Sequence, residues 1–159
     1  MNNWLLFSDI HLSDRPKDRC RFELFTWLLE QQEKYDVTAT FCLGDITENK
    51  DKHSSILVNQ LVEGFRQLKP PVYIDAGNHD GINPKLPYFK FLNNIEGLHF
   101  IVKPTVLTID GSKVAMIPHC RTQDEFDEAC KIIPKNCRAV MLHNTFEGAK
   151  AENSSSAHL

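Results

Sequence analysis

Five side chains of metal-binding type follow four apolar segments of this 159-residue sequence, each at the point where the apolar segment ends. They are Asp9 and His11 after Trp4-Leu5-Leu6-Phe7, Asp45 after Phe41-Cys42-Leu43-Gly44, Asn78 after Tyr73-Ile74-Asp75-Ala76-Gly77, and His143 after Val140-Met141-Leu142. If these segments are parallel strands, their carboxyl ends lie along one edge of a sheet, where ligands bind in α/β folds. The sequence therefore predicts that the five side chains meet at that edge.

These donors are two carboxylates, two imidazoles and one amide oxygen, a set that suits Mn, Fe or Zn better than Mg or Ca. Two carboxylates in a partly buried cleft cannot both stay ionised without cations between them. A pair of divalent ions about 3.5–4 Å apart that share one carboxylate would remove the repulsion. We therefore predict two divalent metal ions, with Mn preferred and Fe or Zn as alternatives. Asp9 and His11 would hold one ion from the same side of an extended segment.

Each motif also has an ordinary structural explanation when it is taken alone. An Asp after a strand is usually a turn former or a helix cap, which is the simpler interpretation of Asp45 by itself. A strand-end histidine such as His143 is more often hydrogen-bonded than metal-bound, and Asn78-His79-Asp80 could be a turn. Four such motifs, all at strand ends, are far less expected by accident, so the metal interpretation is preferred.

The elements that must position these residues are short apolar runs that alternate with amphipathic segments. The runs predict strands at Trp4–Phe7, Thr38–Leu43, Val72–Ala76, Val114–Ile117 and Ala139–Leu142. They are short and nearly continuous, as expected for strands covered on both faces. Asp110-Gly111, between Val106–Ile109 and Lys113-Val114, predicts a hairpin.

Three segments have the apolar spacing of helices. They run from Phe22 to Leu29, from Leu57 to Leu68 and from Phe126 to Ile133. Thr122 and Glu125 form a candidate capping box for the third, which Pro134 ends. The predicted order is β-α-β-α-β, a hairpin, then α-β, which indicates an α/β layered fold with a mostly parallel sheet and some antiparallel additions.

Composition excludes several classes of protein. The formal net charge of -3 argues against a polybasic nucleic-acid or membrane module, although a local basic patch stays open. No apolar run is long enough to span a bilayer, and the first residues lack a secretory signal, so we predict no membrane partner. The five cysteines are odd in number and contain no Cys-x-x-Cys pair, which favours reduced thiols and a cytoplasmic location.

The four motifs together resemble those of the calcineurin-like metallophosphoesterases. The matching segments are Ser8-Asp9-Ile10-His11-Leu12, Gly44-Asp45-Ile46-Thr47-Glu48, Gly77-Asn78-His79-Asp80 and the strand-end His143. The resemblance runs from about residue 3 to about residue 144, in the order of the family. It implies a two-metal phosphoesterase on two facing mixed sheets flanked by helices, an αββα arrangement.

The resemblance also implies a role for each residue. Asp9 and His11 would hold the first metal, and Asp45 would bridge both metals. Asn78 and His143 would hold the second metal. His79 would not be a ligand: it would protonate the leaving oxygen or stabilise charge on the phosphate, with Asp80 orienting its ring. The implied reaction is attack on phosphorus by metal-activated water.

One motif of the family is missing. Its fifth motif, Gly-His-x-His, has no counterpart in the 16 residues after His143, and His158 near the terminus is a poor substitute. We therefore expect residues 1–159 to be the N-terminal part of a longer domain that lacks its C-terminal part. The alternative is that the first metal has too few ligands. Residues 150–159 are expected to be a flexible tail.

The segment Met141–Ala149, with Ala151-Glu152-Asn153, is most similar to SbcD-type DNA repair nucleases and their phage relatives. The resemblance thus implies that the substrate is a phosphodiester and that DNA is one candidate. A small-molecule phosphatase or cyclic-nucleotide phosphodiesterase on the same site is an alternative, and so is a scaffold of this fold that binds protein partners. A protein partner or a homodimer stays open.

Basic residues border the predicted site in two loops. They are Arg15, Lys17, Arg19 and Arg21 after the first motif, and Lys50, Lys52 and His53 after the second. They could hold further phosphates of a nucleic acid, or they could be a solvated helix start whose charge Asp14, Asp18 and Asp51 neutralise. His119 also follows a strand and is expected to have a structural or substrate-side role.

Overall fold

The computed structural model describes residues 2–83 and 86–145. Its strands are β1 Asn3–Phe7, β2 Val37–Cys42, β3 Val72–Asp75, β4 Leu98–Ile101, β5 Thr105–Ile109, β6 Ser112–Ile117 and β7 Cys137–Leu142. Its α-helices are α1 Glu23–Lys34, α2 Ser55–Gln67 and α3 Gln123–Cys130, and two 3-10 helices span Pro16–Phe22 and Tyr88–Asn94. The predicted tail at 150–159 and His158 lie outside the described residues.

The strands form two sheets, as the family resemblance implies. β1, β2, β3 and β4 are neighbours in that order and are all parallel. In the second sheet β5 pairs antiparallel with β6, and β6 pairs parallel with β7. The predicted α/β class with layered sheets and helices is therefore confirmed, and among the described strands the antiparallel addition lies in the second sheet.

Two apolar layers hold these elements together. One lies between the first sheet and helices α1 and α2, where Phe25 packs edge-on against Phe65 at a ring distance of 5.1 Å. The other lies between the two sheets, where Phe41 contacts Trp4 and stacks on Tyr73. Both faces of β2 are covered at its end, where Ala39, Thr40, Phe41 and Cys42 are all buried.

The hairpin and the helix cap form at the predicted positions. Asp110 and Gly111 both have positive φ, at 50° and 75°, as a two-residue turn between antiparallel strands requires. The Thr122 side chain accepts a hydrogen bond from the Glu125 amide at 3.2 Å and caps α3. Glu125 reaches back to the amide of Arg121 rather than to that of Thr122, so the cap extends one residue further than a capping box.

Three features differ from the sequence prediction. β4 was not predicted, because Leu98-His99-Phe100-Ile101 is only four residues long; it forms a strand by pairing along β3. The segment before α1 is a 3-10 helix and α1 begins at Glu23. α3 is shorter than its apolar spacing suggests and ends at Cys130.

Within the described residues no helix has the length and apolar character needed to cross a bilayer.

Candidate metal centre

The loop after β1 is hydrogen-bonded to the loop after β2. The amide of Asp9 donates to the Gly44 carbonyl at 3.1 Å, and that of His11 donates to the Asp45 carbonyl at 3.0 Å. Asp9, His11 and Asp45 have φ angles of 56°, 43° and 52°, in the left-handed region. The expectation that Asp9 and His11 lie on an extended segment is therefore wrong: β1 ends at Phe7, and turns bring the two side chains together.

Left-handed backbone is costly for residues other than glycine, so neighbouring groups must hold this loop in place. Arg21 does so from the 3-10 helix, because its guanidinium donates to the carbonyl of His11 at 2.6 Å and to that of Ile10 at 3.3 Å. Arg21 and Arg15 also pair with the buried carboxylate of Asp18. Two of the predicted substrate-binding cations thus serve to build the loop.

Asp45 is the centre of the cluster. Its side chain is buried, and its Oδ2 lies 3.6 Å from His11 Nε2 and 3.4 Å from His143 Nε2. Its Oδ1 accepts a hydrogen bond from the backbone amide of His79 at 2.8 Å. Burial alone would raise the pKa of Asp45, but the contact with His143 and the amide bond lower it, so the carboxylate is ionised at neutral pH.

His143 reaches Asp45 from the second sheet, about a hundred residues along the chain. Its Nδ1 lies 2.6 Å from the Leu43 carbonyl, which requires a proton on that nitrogen. Its Nε2 therefore faces Asp45 and lies 3.0 Å from Asn78 Oδ1. Burial alone would lower the pKa of His143, but the hydrogen bond and charge of Asp45 raise it to about 9.

The donors form two triads that share Asp45. One contains His11, Asp45 and His79, and the other contains Asp9, Asp45 and His143; within each triad the ligand atoms lie within 4.8 Å of one another. Asn78 adjoins the second triad through His143. The mixture of carboxylate, imidazole and amide donors around one shared carboxylate fits a pair of divalent cations.

This grouping differs from the pairing that the resemblance implies. The structure places Asp9 in the triad of His143 rather than in that of His11, although Asp9 Oδ1 is also 3.8 Å from His11 Nε2. His79, which was expected not to be a ligand, belongs to the triad of His11. The two rings lie edge to face with centroids 4.9 Å apart.

Asp80 does not have the contact that was expected of it. Its two carboxylate oxygens accept hydrogen bonds from the backbone amides of Asp45, Ile46 and Gly77 at 2.7 to 2.9 Å. The ring of His79 instead places Nδ1 2.7 Å from the backbone carbonyl of Glu48. Burial raises the pKa of Asp80 to about 6, although the hydrogen bonds from the backbone amides act to lower it. Asp80 therefore ties the loop after β3 to the loop after β2.

Glu48 is a site residue that the sequence interpretation did not single out. Its Oε2 lies 3.2 Å from His11 Nδ1, and its carbonyl contacts His79, so it adjoins both histidines of one triad. Its other oxygen is 3.6 Å from the Arg15 guanidinium. The only sequence signal was its position three residues after Asp45, which places it in the same loop.

His119 lies on the other side of the cluster, between the two sheets. Its amide donates to the Ala76 carbonyl at 2.8 Å, and its Nδ1 lies 3.2 Å from the carbonyl of His143. Burial lowers the pKa of its ring. His119 thus connects the end of β6 to the loop after β3. Its other ring nitrogen, Nε2, takes part in neither of these two hydrogen bonds.

Two glycines allow the loops to approach this closely. A Cβ on Gly77 would lie 2.3 Å from Asp45 Oδ1 and 2.4 Å from its amide nitrogen, and one on Gly44 would lie 2.8 Å from the Gly77 backbone. All three separations are shorter than real Cβ contacts, so a side chain at Gly77 must displace Asp45 and one at Gly44 must displace the loop of Gly77.

We expect Gly77→Ala to lower metal affinity at least tenfold, because the added methyl group occupies the position of the Asp45 carboxylate. Overpacking of this kind also costs about 1–3 kcal/mol in the free energy of unfolding. Metal content after dialysis against a defined Mn²⁺ concentration, together with urea unfolding, measures both effects.

Gly111→Ala is the matched control for this substitution. It has positive φ but open space around it, so it should lose about 1 kcal/mol of stability without a change in metal affinity. Equal metal affinity in Gly77→Ala and the wild type would contradict the close packing of Gly77 on Asp45.

Comparison with known proteins identifies the family of this chain. Residues 4–151 match a family model described as calcineurin-like phosphoesterase. Among solved structures, a novel archaeal phosphodiesterase is similar, with a TM-score of 0.56 and 18% identity over 94% of this chain and 76% of that chain. A protein of unknown function from Aquifex aeolicus aligns with a TM-score of 0.47 and 14% identity over 89% of each chain. None of the curated proteins is similar enough in sequence to match.

Proposed function

We propose that this chain, which belongs to the calcineurin-like phosphoesterase family, hydrolyses phosphodiesters with two divalent metal ions. The observation that carries the proposal is the carboxylate of Asp45, shared by two triads of donor atoms at the ends of strands from both sheets. When bound, the two ions would supply an activated water and offset charge on the phosphate. Mn²⁺ is the proposed metal because the donors are nitrogen and oxygen without thiolate.

The side chains around Asp45 orient the site. The ions would be held by side chains at strand ends of the first sheet, Asp9, His11, Asp45 and Asn78, and by His143 at the end of β7 in the second sheet. The Leu43 carbonyl fixes the tautomer of His143, so its Nε2 is the nitrogen that faces the site. Asp80 keeps the loops that carry Asp45 and Asn78 at a constant separation.

The proposal is tested with bis(p-nitrophenyl) phosphate, p-nitrophenyl phosphate and linear duplex DNA, each with Mn²⁺ and with EDTA. We expect the diester to be hydrolysed faster than the monoester, with two metal ions bound per chain. A protein that binds no Mn²⁺ and hydrolyses none of the three would refute the proposal and favour the scaffold alternative.

DNA cleavage of the SbcD type is the finer proposal, and the subfamily resemblance alone supports it. The loop cations that would hold DNA are partly committed elsewhere, since Arg15 and Arg21 pair with Asp18 and the loop carbonyls. Cleavage of duplex DNA at a rate below that of the small diester would favour the small-molecule alternative. A cytoplasmic location and a protein partner or homodimer stay predictions from the sequence.

The role of His79 is open to a direct test, because it lies both in a donor triad and beside the proposed reaction centre. If it protonates the leaving oxygen, His79→Asn should keep two Mn²⁺ ions. It should then slow hydrolysis of thymidine 5′-phenyl phosphate by about a hundredfold. The p-nitrophenyl ester, whose leaving group needs no proton, should slow only a few-fold. Rates with both esters and elemental analysis of the variant give the answer.

His99→Asn is the control, because His99 stacks on Tyr73 in the first sheet, away from the triads. It should match the wild type with both esters. Loss of Mn²⁺ from His79→Asn, with equal slowing for both leaving groups, would identify His79 as a ligand instead.

A further inference from the structure

A second cleft opens beside the candidate metal centre. It has a volume of about 520 Å³, within the range of small-molecule sites. One wall is the loop after β3, including Asn78, and the opposite wall contains Pro118, His119 and Arg121 at the end of β6. Lys50, from the loop after β2, completes it. Three loops that carry site residues therefore enclose this space.

The cleft adjoins the metal centre. Asn78 and His119 line it, and they also line a smaller cleft of about 310 Å³ that contains Asp9 and His143. A phosphodiester whose phosphorus lies over the triads would thus extend one of its two ester groups into the larger cleft. This argument rests on the proposed function.

Two cations face this space without an acidic partner. Within residues 2–83 and 86–145, no carboxylate forms an ion pair with Lys50 or with the guanidinium of Arg121, whereas Arg15 and Arg21 are both paired with Asp18. Arg121 donates to the carbonyl of Ile82, which holds its side chain across the cleft. An exposed cation that is fixed in place and unpaired is suited to an anionic ligand group.

Three acids lie near these cations, and backbone amides engage each of them. The carboxylate of Glu125 accepts a hydrogen bond from the amide of Arg121 at 2.8 Å. The carboxylate of Asp80 is directed at three backbone amides of the loops behind the wall. Asp51 accepts a hydrogen bond from the Ile82 amide at 3.0 Å and thereby fixes the outer wall.

The remaining walls are apolar. Ile82, Pro87, Val102 and Pro118 also line the cleft. Pro87 and Pro118 are buried, whereas Ile82 is 62% exposed and presents an apolar surface at the rim. An apolar wall with cations at the margin suits a ring system that carries a charged group at its far end, as a nucleoside phosphate does.

We infer that this cleft binds the ester group of the substrate and selects a mononucleotide-sized group that bears a second phosphate, which Lys50 and Arg121 hold. The substrate class is a nucleoside phosphodiester with another phosphate on the same nucleoside. Free nucleotides and the terminal nucleotides of nucleic-acid strands can both carry such a second phosphate. The cleft has a volume of about 520 Å³, and we assign it to a free nucleotide.

The test compares two esters that differ only in the second phosphate: thymidine 5′-(p-nitrophenyl phosphate) with and without a 3′-phosphate. For the Mn²⁺-loaded wild type we expect the 3′-phosphate to lower KM about tenfold or more, the effect of one charge-assisted contact. Lys50→Met and Arg121→Gln should each lose most of this difference.

Lys52→Met is the matched control, since it removes the same charge from the same loop outside the cleft. It should keep the KM difference. The inference is overturned if the wild type does not distinguish the two esters, or if Lys52→Met loses the difference as fully as Lys50→Met. Inhibition by an oligothymidylate decamer that is tenfold stronger than inhibition by thymidine 3′,5′-bisphosphate would overturn the mononucleotide assignment.

Binding measurements separate this inference from the proposed function. Calorimetric titration of the Mn²⁺-loaded protein with thymidine 3′,5′-bisphosphate and with thymidine 5′-monophosphate needs no turnover. Tighter binding of the bisphosphate, lost in Lys50→Met, in a protein that hydrolyses no diester would refute the proposed activity and support the subsite. Equal binding of both nucleotides by an active enzyme would refute the subsite alone.

Discussion

Asp45→Asn should lower kcat/KM for Mn²⁺-dependent hydrolysis of bis(p-nitrophenyl) phosphate by about a thousandfold or more, a loss of about 4 kcal/mol. The reason is that Asp45 is the one residue common to both triads, so its charge is needed for either ion. The amide nitrogen of the variant would also face His11 Nε2 or His143 Nε2, which the carboxylate oxygen now approaches at 3.6 and 3.4 Å. Initial rates and elemental analysis measure the two consequences.

Asp36→Asn is a matched control for this experiment. Asp36 has a φ of 49°, close to the 52° of Asp45, but it lies in the exposed turn before β2. Asparagine tolerates left-handed backbone, so both variants should keep their local conformation. An Asp45→Asn variant with wild-type rate and metal content would contradict the two-metal proposal, and a slow Asp36→Asn would show that the loss is not specific to the site.

Asp80→Asn should lower the free energy of unfolding of the metal-free protein by about 2–4 kcal/mol. The variant keeps one acceptor oxygen, whereas Asp80 uses both of its oxygens to bind the amides of Asp45, Ile46 and Gly77. Its new amide group would point a donor at a donor in a fully buried position. Urea unfolding in EDTA measures this cost without any contribution from bound metal.

Asp124→Asn is the control for stability, because Asp124 is an exposed acid in the first turn of α3 and should cost less than about 1 kcal/mol. If Asp80→Asn unfolds at the same urea concentration as the wild type, Asp80 does not tie the loops together. A variant that is unchanged in stability but inactive would restore the catalytic role that the resemblance implied.

Much of the fold follows from local sequence. The apolar runs at β1 and β3 are short and continuous, and such runs are recognisable without any neighbour. Asp110-Gly111 predicts its hairpin for a similarly local reason, since few residues adopt positive φ twice in succession. β4 has a weaker signal, since Leu98–Ile101 alternates over only four residues and is a strand because it pairs along the edge of β3.

The sequence by itself determined which donor atoms are present and that four strand ends carry them, because residue type and strand position are local properties. The tertiary structure decided how those atoms are grouped. Left-handed turns at Asp9, His11 and Asp45 rotate the side chains out of strand alternation, and His143 approaches from the other sheet. The tertiary structure also decided the partners of Asp80 and Arg21. Each side chain bonds to the backbone groups that folding brings within reach and removes from water.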